Sequence, residues 1–161
     1  MDLAEKLKKL ARIVPGVAGY QDSETSRDTD KAVRLRLSAD IEGLKLEVEK
    51  EKRRCMDKNE LSLLPALDTI ASKMDRMANL IKYAERGYSG IFDIHRVDEG
   101  ALDKLYSFDL ALFDEIGKLK VSLQHLHNSS PGSSEAKEQV SRLDEAVEDF
   151  GNKFSARGDL S

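Results

Sequence analysis

Three histidines, one cysteine and a short glycine-serine segment are the residues of this 161-residue chain whose types could carry chemistry. A di-iron bundle holds its metals with Glu-x-x-His pairs on two helices, because both ligands must face one buried site. The residues three before His95, His125 and His127 are Phe92, Ser122 and Gln124, so that pattern is missing. His125 and His127 stand two apart, which on a helix turns them to different faces, whereas a metal needs ligands that converge. The expectation is no metal and histidines that lie at the surface or are partly packed. Gly87-Tyr88-Ser89-Gly90, with Asp93 and His95 nearby, matches half of a nucleophile elbow. The elbow needs a second glycine two residues after its serine, where Ile91 stands, and a strand before it, where the pattern is helical. Cys55 has no internal disulfide partner and reads as a small core or boundary residue. Pro15, Gly16 and Gly19 lack the following Gly-Lys-Ser/Thr of a phosphate loop. No catalytic, cofactor-binding or metal residue is assigned, and no small-molecule substrate is evident.

The elements that would position these residues are helices. Leu3, Leu7, Leu10 and Val14 repeat at helical spacing, and Pro15-Gly16 stops that short helix. Residues 17–29 are polar and read as a loop or a frayed helix start. From about Asp28 a long helix is expected, with Leu37, Ile41, Leu44, Val48 and Cys55 on a heptad seam. Asp30–Arg34 and Glu49–Arg53 are i,i+4 pairs expected on an exposed face, and the charged run Lys45 to Arg54 reads as a solvated helix end. A turn at Asp57-Lys58-Asn59 follows. Ser62 is the expected cap of the next helix, with Pro65 in its first turn. Leu63, Leu67, Ile70, Met74, Met77, Ile81 and Ala84 form the cleanest seam, ended by Gly87. Asp98 is expected to cap a helix whose seam runs from Leu102 to Leu126, with Asp109 interrupting the frame. NSSPGSS at 128–134 is a linker, and Val140, Leu143, Val147, Phe150 and Phe154 mark a last helix beginning near Ser134. Residues 155–161 are expected to be a loose tail, with Arg157-Gly158-Asp159 there by chance.

The expected fold is therefore all-α: one domain over 1–161, an antiparallel, up-and-down bundle of four main helices with a short amphipathic helix at 1–14. Charged residues make up 35 % and aromatics 6 %, and the net charge of −4 lacks the basic excess of a nucleic-acid binder. No run of ~20 apolar residues could span a bilayer, and the first residues lack the apolar core of a signal peptide. A cytoplasmic location is expected.

Residues 1–14 hold four basic and two acidic side chains, a net of +2. A basic amphipathic helix can lie in an anionic membrane interface, with Leu3, Leu7, Leu10, Lys6 and Lys9 as the contacting face. The plainer alternative folds the same leucines onto the bundle. Tyr83, Tyr88, Phe92 and Tyr106, with Arg86 or Arg96, form a further, less favoured candidate as an aromatic pocket that would take an anion.

Val14-Pro15-Gly16, Gly19-Tyr20, Arg27, Asp30-Lys31, Arg34 and Leu37 form one block. Tyr83-Ala84, Gly87-Tyr88-Ser89-Gly90, Phe92-Asp93, Leu105-Tyr106, Phe108-Asp109 and Leu112 form a second. Together, over about half of the chain, they resemble a set of uncharacterised prokaryotic helical proteins. The resemblance implies a small cytosolic helical protein and transfers no activity. Pro15, Gly16, Gly19 and Tyr20 at the first turn, and Gly87, Tyr88, Ser89, Gly90, Phe92 and Asp93 at the second, are expected to serve structure. The functional expectation is a non-enzymatic module that binds protein, itself or another chain. A peripheral membrane protein and a ligand binder are the alternatives.

Overall fold

A computed structural model describes residues 1–17, 23–84 and 98–158, the side chains of Ser23 and Glu24 apart. Three of the helices start where a side chain meets the orphan backbone donors of the first turn, and one where a proline removes such a donor. In α1 (Leu3–Ile13), Asp2 accepts from the Glu5 amide at 2.9 Å and Glu5 accepts from the Asp2 amide at 3.0 Å, a reciprocal cap. Gly16, at φ +96°, turns the chain after it. Helix α2 (Ser23–Asp57) is followed by a 3-10 turn at Leu61–Leu63 and by α3 (Leu64–Lys82), with Pro65 in its first turn. Asp98 caps α4 (Glu99–Asn128) through the Gly100 and Ala101 amides, and Ser133 caps α5 (Ser134–Arg157) through the Ala136 amide.

Cross-helix bonds give the directions. Lys45 pairs with Asp75 at 3.0 Å and Lys52 with Asp68, so α2 and α3 run antiparallel. Lys153 pairs with Glu115 at 2.8 Å and Arg157 with Asp109 at 2.6 Å, so α4 and α5 do too. Arg54 near the end of α2 donates to the carbonyls of His127 and Ser129 at the end of α4, while Ser38 and Arg34 near the start of α2 bond to the end of α3. The ring order is α2, α3, α5, α4. The bundle is thus two antiparallel hairpins laid face to face, with like-directed helices meeting at the two seams between them. Helices α3 and α4 sit on diagonal corners, and α1 packs on the first half of α4. The all-α bundle expected from the sequence is the fold observed.

The seams read from spacing line the core: Leu37, Ile41, Leu67, Ile70, Met74, Leu102, Leu105, Leu143 and Phe150 are fully buried. Each such side chain contributes on the order of 1.5–3 kcal/mol relative to exposure.

Several local expectations are corrected. Asp30–Arg34 is not on an exposed face but buried, because its side chains point down the seam position before Leu37. Glu49 pairs with Lys52 rather than Arg53. Glu51, inside the run read as solvated, is buried against Arg54 and His127. Ser62 lies inside the 3-10 turn and caps nothing; Leu63 precedes α3. The long helix begins at Ser23, earlier than Asp28. Asp109 does not interrupt its seam but occupies it, buried. Residues 155–157 are not a loose tail: α5 continues to Arg157, whose side chain is wholly buried. Gly87, expected to end α3, lies outside the described residues.

At the far end, the α4–α5 turn packs on the α2–α3 turn. Gly132 has φ +79°, and a Cβ there would collide with the Glu60 side chain. Gly132→Ala should therefore destabilise the bundle by about 1–2 kcal/mol through left-handed strain and displacement of Glu60. A thermal melt checks this, and an unchanged midpoint would contradict the geometry.

Candidate functional site

Four charged side chains meet inside the bundle near the start of α2. Arg34 Nε donates to Asp30 Oδ2 at 2.8 Å. Arg157 reaches across from α5, donating from Nη2 to Asp30 Oδ1 at 2.5 Å and from Nε to Asp109 Oδ1 at 2.6 Å. Arg34 Nη1 also donates to the Lys82 carbonyl at 2.9 Å, meeting the negative end of α3. Two carboxylates and two guanidiniums thus neutralise one another and tie α2, α3, α4 and α5 together. Tyr106, Ser26 and Thr29 are buried in the same region.

The cluster acts as a lock between the helices that carry it. Burial pushes the Asp109 carboxyl up, with the Arg157 guanidinium pulling it down. Burial also pushes the Tyr106 phenol far up. None of the four charged side chains is more than about 5 % exposed. Elsewhere, burial raises the Cys55 thiol, which keeps it in its unreactive form.

Two accessible concavities among the described residues lie on the seams between hairpins, and a smaller one, of about 480 Å³, lies between α1 and α4. Between α2 and α4, below the seat of α1, a groove of about 690 Å³ is floored by Leu44 and Leu123. At its lower end Glu51 Oε1 sits 2.8 Å from His127 Nδ1, with Arg54 on the other carboxylate oxygen at 3.2 Å. Between α3 and α5 a second groove, of about 600 Å³, is lined by Met77, Val147 and the half-exposed Leu80. Glycines widen both: Gly43 lies in the wall of the first and Gly151 in that of the second. A Cβ on Gly151 would meet only Met77 Sδ at 3.8 Å, and one on Gly43 or on Gly117 of α4 would meet nothing within 4 Å.

The residues singled out from sequence are dispersed. Leu7 and Leu10 are buried against the bundle and Leu3 is partly so, while Lys9 is exposed and Lys6 pairs with Asp103 of α4 at 2.7 Å. The leucines proposed to face lipid therefore face protein. Tyr106 is buried, but Tyr83 is 71 % exposed, so these two do not share a pocket. Pro15 and Gly16 form the turn expected of them. Gly19, Tyr20, Arg86, Gly87, Tyr88, Ser89, Gly90, Phe92, Asp93, His95 and Arg96 lie outside the described residues. His125 and His127 are exposed, on different faces of α4. Among the described residues no group of three or more potential ligands could hold a metal, and no helix is long and apolar enough to cross a membrane. No family model matches the chain, no curated protein matches it, and no solved structure matches it.

Two outcomes are expected of the lock and its surroundings. Arg157→Met should cost about 3–5 kcal/mol at neutral pH, because Asp109 is left charged and uncompensated in the core. Pairing it with Asp109→Leu should recover most of that loss, since the Asp30–Arg34 pair remains neutral. The deficit of the single variant should shrink in acid. An acid whose folded pKa is raised carries no penalty below its unfolded value, about 3.9, and loses stability as pH rises through the folded value. Urea melts across pH measure this, and a deficit independent of pH would refute a charged, stranded Asp109. Gly43→Ala and Gly117→Ala should each stabilise the fold by up to ~1 kcal/mol, as alanine replaces glycine in a helix with room for the methyl. A lowered melting temperature in both would show that the space is not open.

Proposed function

We propose that the chain is a cytoplasmic, non-enzymatic interaction module that binds a protein partner through the seams between its two hairpins. The carrying observation is the pair of open grooves, floored by core leucine, valine and methionine, that flank a bundle whose deep charges are spent on one another. A concave, partly apolar strip along a rigid helix pair suits the face of a partner helix. Leu80 and Tyr83 add exposed apolar area beside the second groove.

A membrane role for α1 would require it to leave its seat, exposing Leu7 and Leu10 and breaking the Lys6–Asp103 pair. Undocking two buried leucines costs on the order of 3–6 kcal/mol, which supports the protein-binding reading over the lipid one.

The tagged chain should retain a partner from its own cells. Filling a groove with Gly43→Phe or Gly151→Phe should release that partner while the melting temperature stays within a few degrees. Equal retention by both filled variants would overturn the reading. The full chain should also fail to float with anionic vesicles at low or moderate salt. Salt-sensitive flotation lost in a Lys8→Glu, Lys9→Glu variant would replace it with the membrane role.

A further inference from the structure

Helix α1 stands outside the bracing that holds the other four helices. The buried charges join α2, α3, α4 and α5, and none of them lies on α1. Each hairpin is further tied by pairs such as Lys45–Asp75 and Lys153–Glu115. Among the described residues, two side chains tie α1 to the other helices by hydrogen bonds. Lys6 Nζ reaches the Asp103 carboxylate at 2.7 Å and the Asp103 carbonyl at 3.4 Å, and Arg36 Nη1 on α2 donates to the Ile13 carbonyl at 2.9 Å. The Asp103 side chain is 41 % exposed and that of Arg36 43 %, so water competes for both ties.

The apolar grip on α1 is equally local. Leu7, Leu10 and Val14 are buried, while Leu3 and Ile13 are covered only in part. Packing beside them is incomplete: the cavity of about 480 Å³ runs between Lys9, Arg12 and Ile13 on α1 and Ser107, Leu110 and Ala111 on α4. The chain then turns at Pro15-Gly16, with φ +96° at Gly16, so α1 gains no stiffness from α2. A helix of 11 residues is marginal in water by itself. Residues 3–13 are therefore helical because they are docked.

We propose that α1 is a strap: it undocks and unfolds as a unit while the four main helices stay closed around their charge lock. Openings of this kind belong to the low end of the range of local stabilities in a fold. Release bares Leu7, Leu10 and Val14 together with the face they cover. It also extends the open α2–α4 groove by the length of α1, roughly 16 Å at 1.5 Å per residue. The strap sets how much of that seam is exposed, and it does so whatever the groove holds.

Native-state hydrogen exchange on the full chain, labelled with nitrogen-15, tests this in zero to mild urea. The amides of Leu10 and Val14 should be protected, yet exchange on the order of 100-fold faster than those of Ile41, Ile70 and Ile116. Their rates should depend only weakly on urea, because a small surface is exposed, whereas the core amides should depend on it steeply. Leu143→Ala, on α5 away from the strap, should speed the core amides at least about tenfold and leave Leu10 and Val14 within twofold, since the undocked state keeps α5 packed. If that variant does not fold, Ile70→Val should give the same split at about threefold. The proposal is overturned if Leu10 and Val14 exchange at the rate of the core, or if either variant speeds them as much as it speeds the core. Both results would mean that α1 opens only with the whole bundle. Complete lack of protection at Leu10 and Val14 would overturn it as well, because no docked helix would exist to be released.

Discussion

The arrangement of the bundle depends on the buried contact among Asp30, Arg34, Asp109 and Arg157. Apolar seams alone do not choose between helix orders, since leucine on any helix packs acceptably against leucine on another. Buried charge is less tolerant. Arg157 must lie between Asp30 and Asp109 or leave a carboxylate stranded, and Arg34 must stand at the end of α3 to meet its carbonyls. The ring order α2, α3, α5, α4 meets all of these conditions. The desolvation of four ions makes the lock a modest source of net stability at best; its contribution is to penalise the alternatives.

That constraint also explains where the open surface lies. The hairpins zip along their antiparallel seams through leucine layers and ion pairs such as Lys45–Asp75 and Lys153–Glu115. They are joined to each other by the charge lock at one end, by Arg54 with His127 and Ser129 at the other, and by Lys73 of α3 with Asp144 and Glu148 of α5 between them. Between these fixed points the seams between hairpins can stay apart, with glycine in their walls, because the relative position of the hairpins is already set. Concave strips along a scaffold fixed at both ends are suited to holding another helix in one orientation.

Much of this was legible in the spacing of apolar residues. The four main helices and nearly every core leucine follow from heptad positions, and the cap at Asp98 and the stop at Pro15-Gly16 from residue type. The lock was not read, although its signal was present. Extended backwards, the α2 frame of Leu37 and Ile41 passes through Val33, Asp30 and Ser26; Asp109 sits in step between Leu105 and Leu112; Arg157 follows Phe150 and Phe154 at the next seam position. A charge in an apolar frame reads as an interruption when taken one helix at a time. It becomes a partner only once a complementary charge at the same level of another helix is considered, and that requires the ring order. The grooves were illegible for a related reason: Gly43, Gly117 and Gly151 look like mild helix weakness until the helix across the seam is known.

The lock also bears on the order in which the chain can fold as it is made. Asp30 and Arg34 emerge together and can satisfy each other within one turn, so the first hairpin carries no electrostatic debt when α3 follows it. Asp109 is different, because its counter-charge lies 48 residues further along, at the last turn of α5. Throughout that interval of synthesis α4 bears a carboxylate that favours water over the core, and its docking on the finished hairpin is discouraged. The second hairpin is thereby biased to close on itself before it joins the first, which keeps a half-made α4 from settling in the wrong corner.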